Sequence, residues 1–250
     1  MTAELVIAHM ESLADAVQAQ HSMRFFKTGP GEYGYGDKFL GIKTPVTRSI
    51  VARSKALPLS EVEKLLESPW HEVRMCGVLV LVDQFERLSR KALVDDASSI
   101  ARRDEIVDFY LNHSRCANNW DLVDLSVYKI LGKWLMLPSH YNAEEKQAVI
   151  DALALSDNLW EQRMSMVCTM QPLKEGNPDF TLRYAKWHLH HSHDLMHKAV
   201  GWMLREMGKR VGLDVLREFL QTHAHEMPRT ALRYSIEHLS AEERNSWMMK

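Results

Sequence analysis

The chain is expected to fold as an all-α solenoid of stacked antiparallel helix pairs, and three observations predict this. First, 11 Gly and 8 Pro in 250 residues are few beside 14 Met and abundant Leu and Ala, a balance that favours helix over strand. Second, apolar residues recur at helical spacing in stretches of about 12–20 residues with short breaks, and no segment alternates convincingly as a strand does. Third, several segments resemble one another: His71-Glu72-Val73-Arg74 before Met75–Val82, Trp160-Glu161-Gln162-Arg163 before Met164–Cys168, and Met196-His197-Lys198 before Ala199–Leu204. Arg163 and Lys198 are 35 positions apart, near the period of a helical hairpin repeat. The implied stack is HEAT-like, with a concave face suited to an extended partner. No linker rich in Pro, Gly or Ser separates the repeats, so a single domain over residues 1–250 is expected, with a glycine-rich loop at 28–37.

The elements follow in order. The N-terminus reads as an amphipathic helix on Leu5, Val6, Ile7, Met10, Leu13, Ala14 and Val17. Thr44-Pro45 is a helix start, with Thr as cap and Pro in the first position. Ser60-Glu61-Val62-Glu63 and Ser240-Ala241-Glu242-Glu243 fit capping boxes. Asn118 or Asn119 can cap a helix whose first turn holds Asp121, where a carboxylate suits the helix dipole. Pro138, Gly176-Asn177-Pro178 and Pro228 mark breaks.

Three helices carry a residue that breaks its pattern. Trp120, Asp124, Val127, Leu131 and Leu135 fall on one helical face, so Asp124 lies within an apolar stripe. A carboxylate there is costly unless it is paired, hydrogen-bonded or at the edge of a cleft. Arg163 falls inside the arc of Leu159, Trp160, Met166, Val167 and Met170. Trp202 points away from the stripe of Met196, Ala199, Val200, Met203 and Met207, beside Lys198 and Arg205. Each has a structural alternative: a carboxylate bonding a neighbouring helix end or ion pair, an Arg with a packed stem, a Trp filling a gap between repeats. Together in one groove they would supply a carboxylate, a phosphate-binding fork and two aromatic surfaces, the groups that handle a cationic base on a nucleic-acid backbone.

Composition excludes other classes. The net charge of −2 requires any DNA-binding surface to be local. Three dispersed cysteines, Cys76, Cys116 and Cys168, oppose a disulfide framework and suit a reducing cytoplasm. The N-terminus lacks the basic start and cleavage site of a signal peptide, and Cys76–Val82 is too short to span a membrane. Gly29-Pro30-Gly31-Glu32-Tyr33-Gly34 matches a nucleotide-binding spelling, but no strand precedes it and a proline interrupts it. His188, His190, His191, His193 and His197 span a helix break with no clear Cys or carboxylate to complete a metal site, so they read as solvated.

Four pieces, in order along the chain, resemble the AlkD-like DNA alkylation repair glycosylases: Phe39-Leu40-Gly41-Ile42-Lys43-Thr44-Pro45, Asn119–Asp124, Ser156–Arg163 and Lys198–Glu206. The resemblance spans about residues 20 to 240. It implies HEAT-like repeats clasping duplex DNA and a monofunctional glycosylase that excises cationic alkylpurines such as N3-methyladenine and N7-methylguanine. It implies no metal and no organic cofactor, no obligate protein partner, a monomer, and a cytoplasmic protein associated with the nucleoid when bound to DNA. It places the catalytic acid on Asp124, the groove tryptophans on Trp120 and Trp202, and the active-site arginine on Arg163. Arg205 and Lys198 are further candidates for phosphate contact. One departure is local: where some members carry Tyr, this chain has Phe25, with Tyr33 and Tyr35 nearby to supply the hydroxyl. The competing readings are a non-catalytic HEAT-like protein that binds branched or damaged DNA, and a protein-binding scaffold.

Overall fold

The structure is a computed structural model that describes residues 1–249, and every regular element among them is a helix. The helices are α1 (Ala3–Ser12), α2 (Ala16–Phe25), α3 (Thr44–Ser54), α4 (Leu59–Leu66), α5 (His71–Leu88), α6 (Ala97–Asn112) and α7 (Trp120–Met136). They continue as α8 (Ala143–Leu155), α9 (Leu159–Val167), α10 (Met170–Lys174), α11 (Asp179–Trp187) and α12 (Asp194–Arg210). The last are α13 (Leu213–His223), α14 (Arg229–Ser235) and α15 (Ala241–Met248). The expected all-α helical-repeat architecture is therefore present. The chain divides into two compact units, one of Met1–Ser126 with Pro138–His140, the other of Val127–Leu137 with the residues from Tyr141 onward.

In the first unit α5 packs against α3, α4 and α6, and its residues His71–Val82 are all buried. The N-terminal helix predicted through Val17 is instead two helices. The first ends at Ser12, and Asp15 starts α2 with a carboxylate that accepts from Val17 N and Gln18 N. Only Ala3, Val6 and Met10 of α1 are buried, while Leu5, Leu13 and Val17 are exposed. The expected cap at Ser60 does not form either. Pro58 occupies the N-cap and its carbonyl accepts from Val62 N, which leaves Ser60 inside α4. Glu61 turns outward from that helix, and its carboxylate accepts from Ala3 N at 2.6 Å, at the start of α1. At α3 the cap is Lys43, one residue before Thr44, with Pro45 in the first turn as expected.

In the second unit α12 packs against α9, α10, α11, α13 and α14. Met196, Ala199, Val200, Met203 and Met207 are buried, the stripe read from the sequence. A Cβ at Gly201 would lie 2.5 Å from Ala231 O on α14, so only glycine permits this approach. Asn158 caps α9 by accepting from Trp160 N and Glu161 N, and Ser240 caps α15 by accepting from Glu243 N. Cys76 and Cys168 are buried and Cys116 half-buried, all as free thiols. Burial pushes the Cys76 thiol up to about 12 and raises Cys116 and Cys168 as well. Among the described residues no helix is long and apolar enough to cross a membrane.

Candidate active site

The first unit holds a cavity of about 780 Å³ beside the start of α7. Asn119 precedes this helix, and its side-chain oxygen accepts from Trp120 N at 2.8 Å while its carbonyl accepts from Val123 N at 3.2 Å. The first turn then presents Trp120, Asp121 and Asp124 to the cavity. Trp120 and Asp124 are half-buried, consistent with a cleft edge, while Leu122, Val123, Val127, Ile130 and Leu131 are fully buried.

The opposite wall is aromatic. The Trp120 ring lies 5.4 Å from Phe26, Phe26 stacks on Phe39 at 5.1 Å, and Phe39 stacks on His71 at 4.5 Å. Phe25 meets Trp120 edge-on at 5.9 Å, so the local departure keeps an aromatic ring against the tryptophan. The Tyr33 hydroxyl accepts from Trp120 Nε1 at 3.3 Å, whereas Tyr35 is exposed.

A carboxylate from α5 fixes the backbone of this wall. Glu72 accepts from Leu40 N at 2.9 Å, Gly41 N at 2.8 Å and Ile42 N at 3.1 Å. Gly41 has φ +83°, and a Cβ there would lie 2.2 Å from Asp15 O, so no other residue fits. The resembling segment Phe39–Ile42 is thus held by its main chain. Lys43 and Thr44, at the start of α3, complete that side of the cavity.

Beneath α7 lies a buried ionic network that helical periodicity did not reveal. His71 Nδ1 is 2.8 Å from Asp37 Oδ2, and Nε2 is 2.9 Å from Asp121 Oδ2. Arg74 donates to Asp37 Oδ1 at 2.6 Å, to Asn118 Oδ1 at 3.0 Å and to Ser68 O at 2.9 Å. Burial raises the Asp37 pKa, but its bonds to His71 and Arg74 outweigh this and hold it below the usual carboxylate range. Asp121, read as a dipole partner, is in fact bonded to a histidine 50 positions away.

The other expected site residues lie in the second unit. Arg163 is 5% exposed, and its Nη1 donates to Leu195 O in the first turn of α12 at 2.5 Å. Trp202 is half-buried on α12. On the same helix Lys198 pairs with Asp194 at 2.8 Å, and Arg205 pairs with Glu237 and with Glu206. The histidine tract is not all solvated as expected: His188 is buried against Ser165 Oγ, His191 bonds Gln162, and His193 accepts from Leu195 N as the α12 cap.

Flat aromatic walls with carboxylates at one edge suit a planar cationic group. A sequence profile of the family described as DNA alkylation repair enzyme matches residues 6–239. Among solved structures, a predicted DNA alkylation repair enzyme from Enterococcus faecalis aligns with TM-score 0.66 and 17% identity, covering 91% of this chain and 97% of that one. No curated protein matches the chain significantly.

Proposed function

Because the chain belongs to the DNA alkylation repair enzyme family, we propose that it is a monofunctional DNA glycosylase for cationic alkylpurines, N3-methyladenine and N7-methylguanine, in duplex DNA. The observation that carries this reading is the placement of Asp124 and Trp120 on one turn of α7 at the edge of an aromatic cavity. The charge distribution supports a DNA partner. Residues 21–57 hold seven exposed basic side chains, Arg24, Lys27, Lys38, Lys43, Arg48, Arg53 and Lys55, against only Glu32 and Asp37, although the whole chain is acidic.

Alkylation at N3 or N7 makes the purine a cation and therefore a leaving group that needs no proton. As the glycosidic bond breaks, its electron pair goes to the base, which departs neutral, and positive charge grows on the deoxyribose. The Asp124 carboxylate stabilises that charge by its fixed position. It also orients the water whose oxygen bonds to the sugar carbon and takes up the released proton. Trp120 packs beside the sugar and excludes bulk water, which strengthens the carboxylate's field. Arg163 and Trp202 take the roles that the family resemblance assigns them, phosphate contact and an aromatic backbone surface, with Lys198 and Arg205 as further cations. No metal or organic cofactor enters this scheme, and the protein is proposed to act as a monomer.

The test is release of N3-methyladenine and N7-methylguanine from methylated duplex DNA, quantified by mass spectrometry beside Asp124→Asn. Release by the wild type, with excision by the variant lowered by about 10²–10³ and DNA binding retained, is the expected result. Release by both proteins would exclude Asp124, and binding without release by either would favour recognition of damaged or branched DNA.

A further inference from the structure

We propose that His71 is a positioning residue of this site and acts as an imidazolium clamp: by donating from both ring nitrogens it locks the first turn of α7, and with it Trp120 and Asp124. The proposal rests on the reading of those two residues as the working pair. Both ring nitrogens face carboxylate oxygens, at 2.8 Å to Asp37 and 2.9 Å to Asp121. A neutral imidazole carries one N–H, so its second nitrogen would oppose a carboxylate lone pair at hydrogen-bond distance. With both partners as carboxylates, only the doubly protonated ring satisfies both contacts.

The surroundings favour that cation. The ring is 1% exposed and lies against Phe39 at 4.5 Å and Phe26 at 5.0 Å. Phe26 also packs on Trp120. The start of α7 is therefore held twice through His71, by a bond to Asp121 and by the aromatic stack to Trp120. The charged and titratable groups around it are Asp37 from the loop after α2, Glu72 and Arg74 from α5, Asp121 and Asp124 from α7, and His21 and Lys43 at the cavity. Burial opposes protonation, but the bonds to Asp121 and Asp37 hold the His71 pKa up at about 9. Above that pH the ring keeps one N–H, one of the two bonds is lost, and the clamp opens at that end.

Side-chain ¹⁵N NMR of the full chain tests this without a substrate. At pH 8 the wild type is expected to show a histidine with both nitrogens protonated, absent from His71→Gln. The Trp120 indole N–H resonance is expected to shift with a midpoint near pH 9 in the wild type and to stay fixed in His71→Gln. Single-turnover excision is expected to fall through the same range in the wild type, and to be at least ~10-fold slower and without that alkaline limb in the variant. A neutral His71 at pH 8, or a Trp120 resonance that ignores its titration, overturns the proposal. The wild-type spectra decide this even if His71→Gln fails to fold, because Asp121→Asn identifies the ring through its Nε2 shift. Clamp signals without base release by the wild type support the clamp and overturn the glycosylase reading instead.

Discussion

Trp120 donates its indole N–H to the Tyr33 hydroxyl at 3.3 Å, joining the first residue of α7 to a loop 87 positions earlier. Tyr33→Phe keeps the ring and removes the acceptor. A neutral hydrogen bond of this kind contributes about 0.5–1.5 kcal/mol. Stability is expected to fall by no more than that amount, and excision to slow by roughly 2- to 10-fold if the bond also positions Trp120 in the transition state. Single-turnover kinetics beside a thermal melt separate the two effects.

Arg163 is buried and bonded to Leu195 O, so its replacement acts on stability as well as on DNA. Arg163→Gln is expected to cost about 1–3 kcal/mol in urea unfolding by leaving that carbonyl short of a donor. In the proposed phosphate role it also lowers the salt slope of log K by about 1. An unchanged slope would leave Arg163 as a brace between α9 and α12.

Stability is expected to fall on both sides of neutrality, and two histidines contribute to it in opposite directions. Burial and the nearby His191 hold the His188 pKa down to about 4, against an ordinary 6.5. Its contribution is present above pH 6.5 and is lost as pH falls toward 4, because the unfolded chain takes up the proton first. His71 runs the other way. Its raised pKa gives a contribution that is full below 6.5 and is lost as pH rises through about 9. Urea midpoints measured across this range are expected to show a shallower acid limb in His188→Gln, where His191 and His193, also held down by burial, keep the remainder, and a shallower alkaline limb in His71→Gln.

Gly201→Ala places a carbon 2.5 Å from Ala231 O, so α12 and α14 must separate. A cost of about 1–3 kcal/mol is expected, read by thermal unfolding. A neutral result would mean that the two helices slide at no cost.

Of the residues proposed for the site, the sequence set Asp124 and Arg163 apart as charges within apolar arcs and Trp202 as an aromatic outside one. The structure places Asp124, with Trp120, at the cavity of the first unit, and Arg163 and Trp202 in the second unit. The clamp was not legible, because Asp37, His71 and Asp121 come from a loop and two helices and share no period. Asp121 offered the one available signal, but its place in a first turn supplied a sufficient local explanation. The helix starts at Leu59 and Ala16 escaped for a related reason. Pro58 outcompeted the serine two residues later, and Asp15 interrupted an apolar run that continued in spelling but not in burial.

The three cysteine thiols have a consequence for a chain of this family. Electrophiles that methylate DNA also methylate thiolates, so a repair protein meets the same reagents that create its work. Nucleophilicity at sulfur belongs to the thiolate. Cys76 and Cys168 are buried, and burial pushes all three thiols above their ordinary range, which lowers further the small fraction present as thiolate. The fold thereby holds its thiols in their less nucleophilic form while leaving the thioethers of Met1 and Met249 exposed.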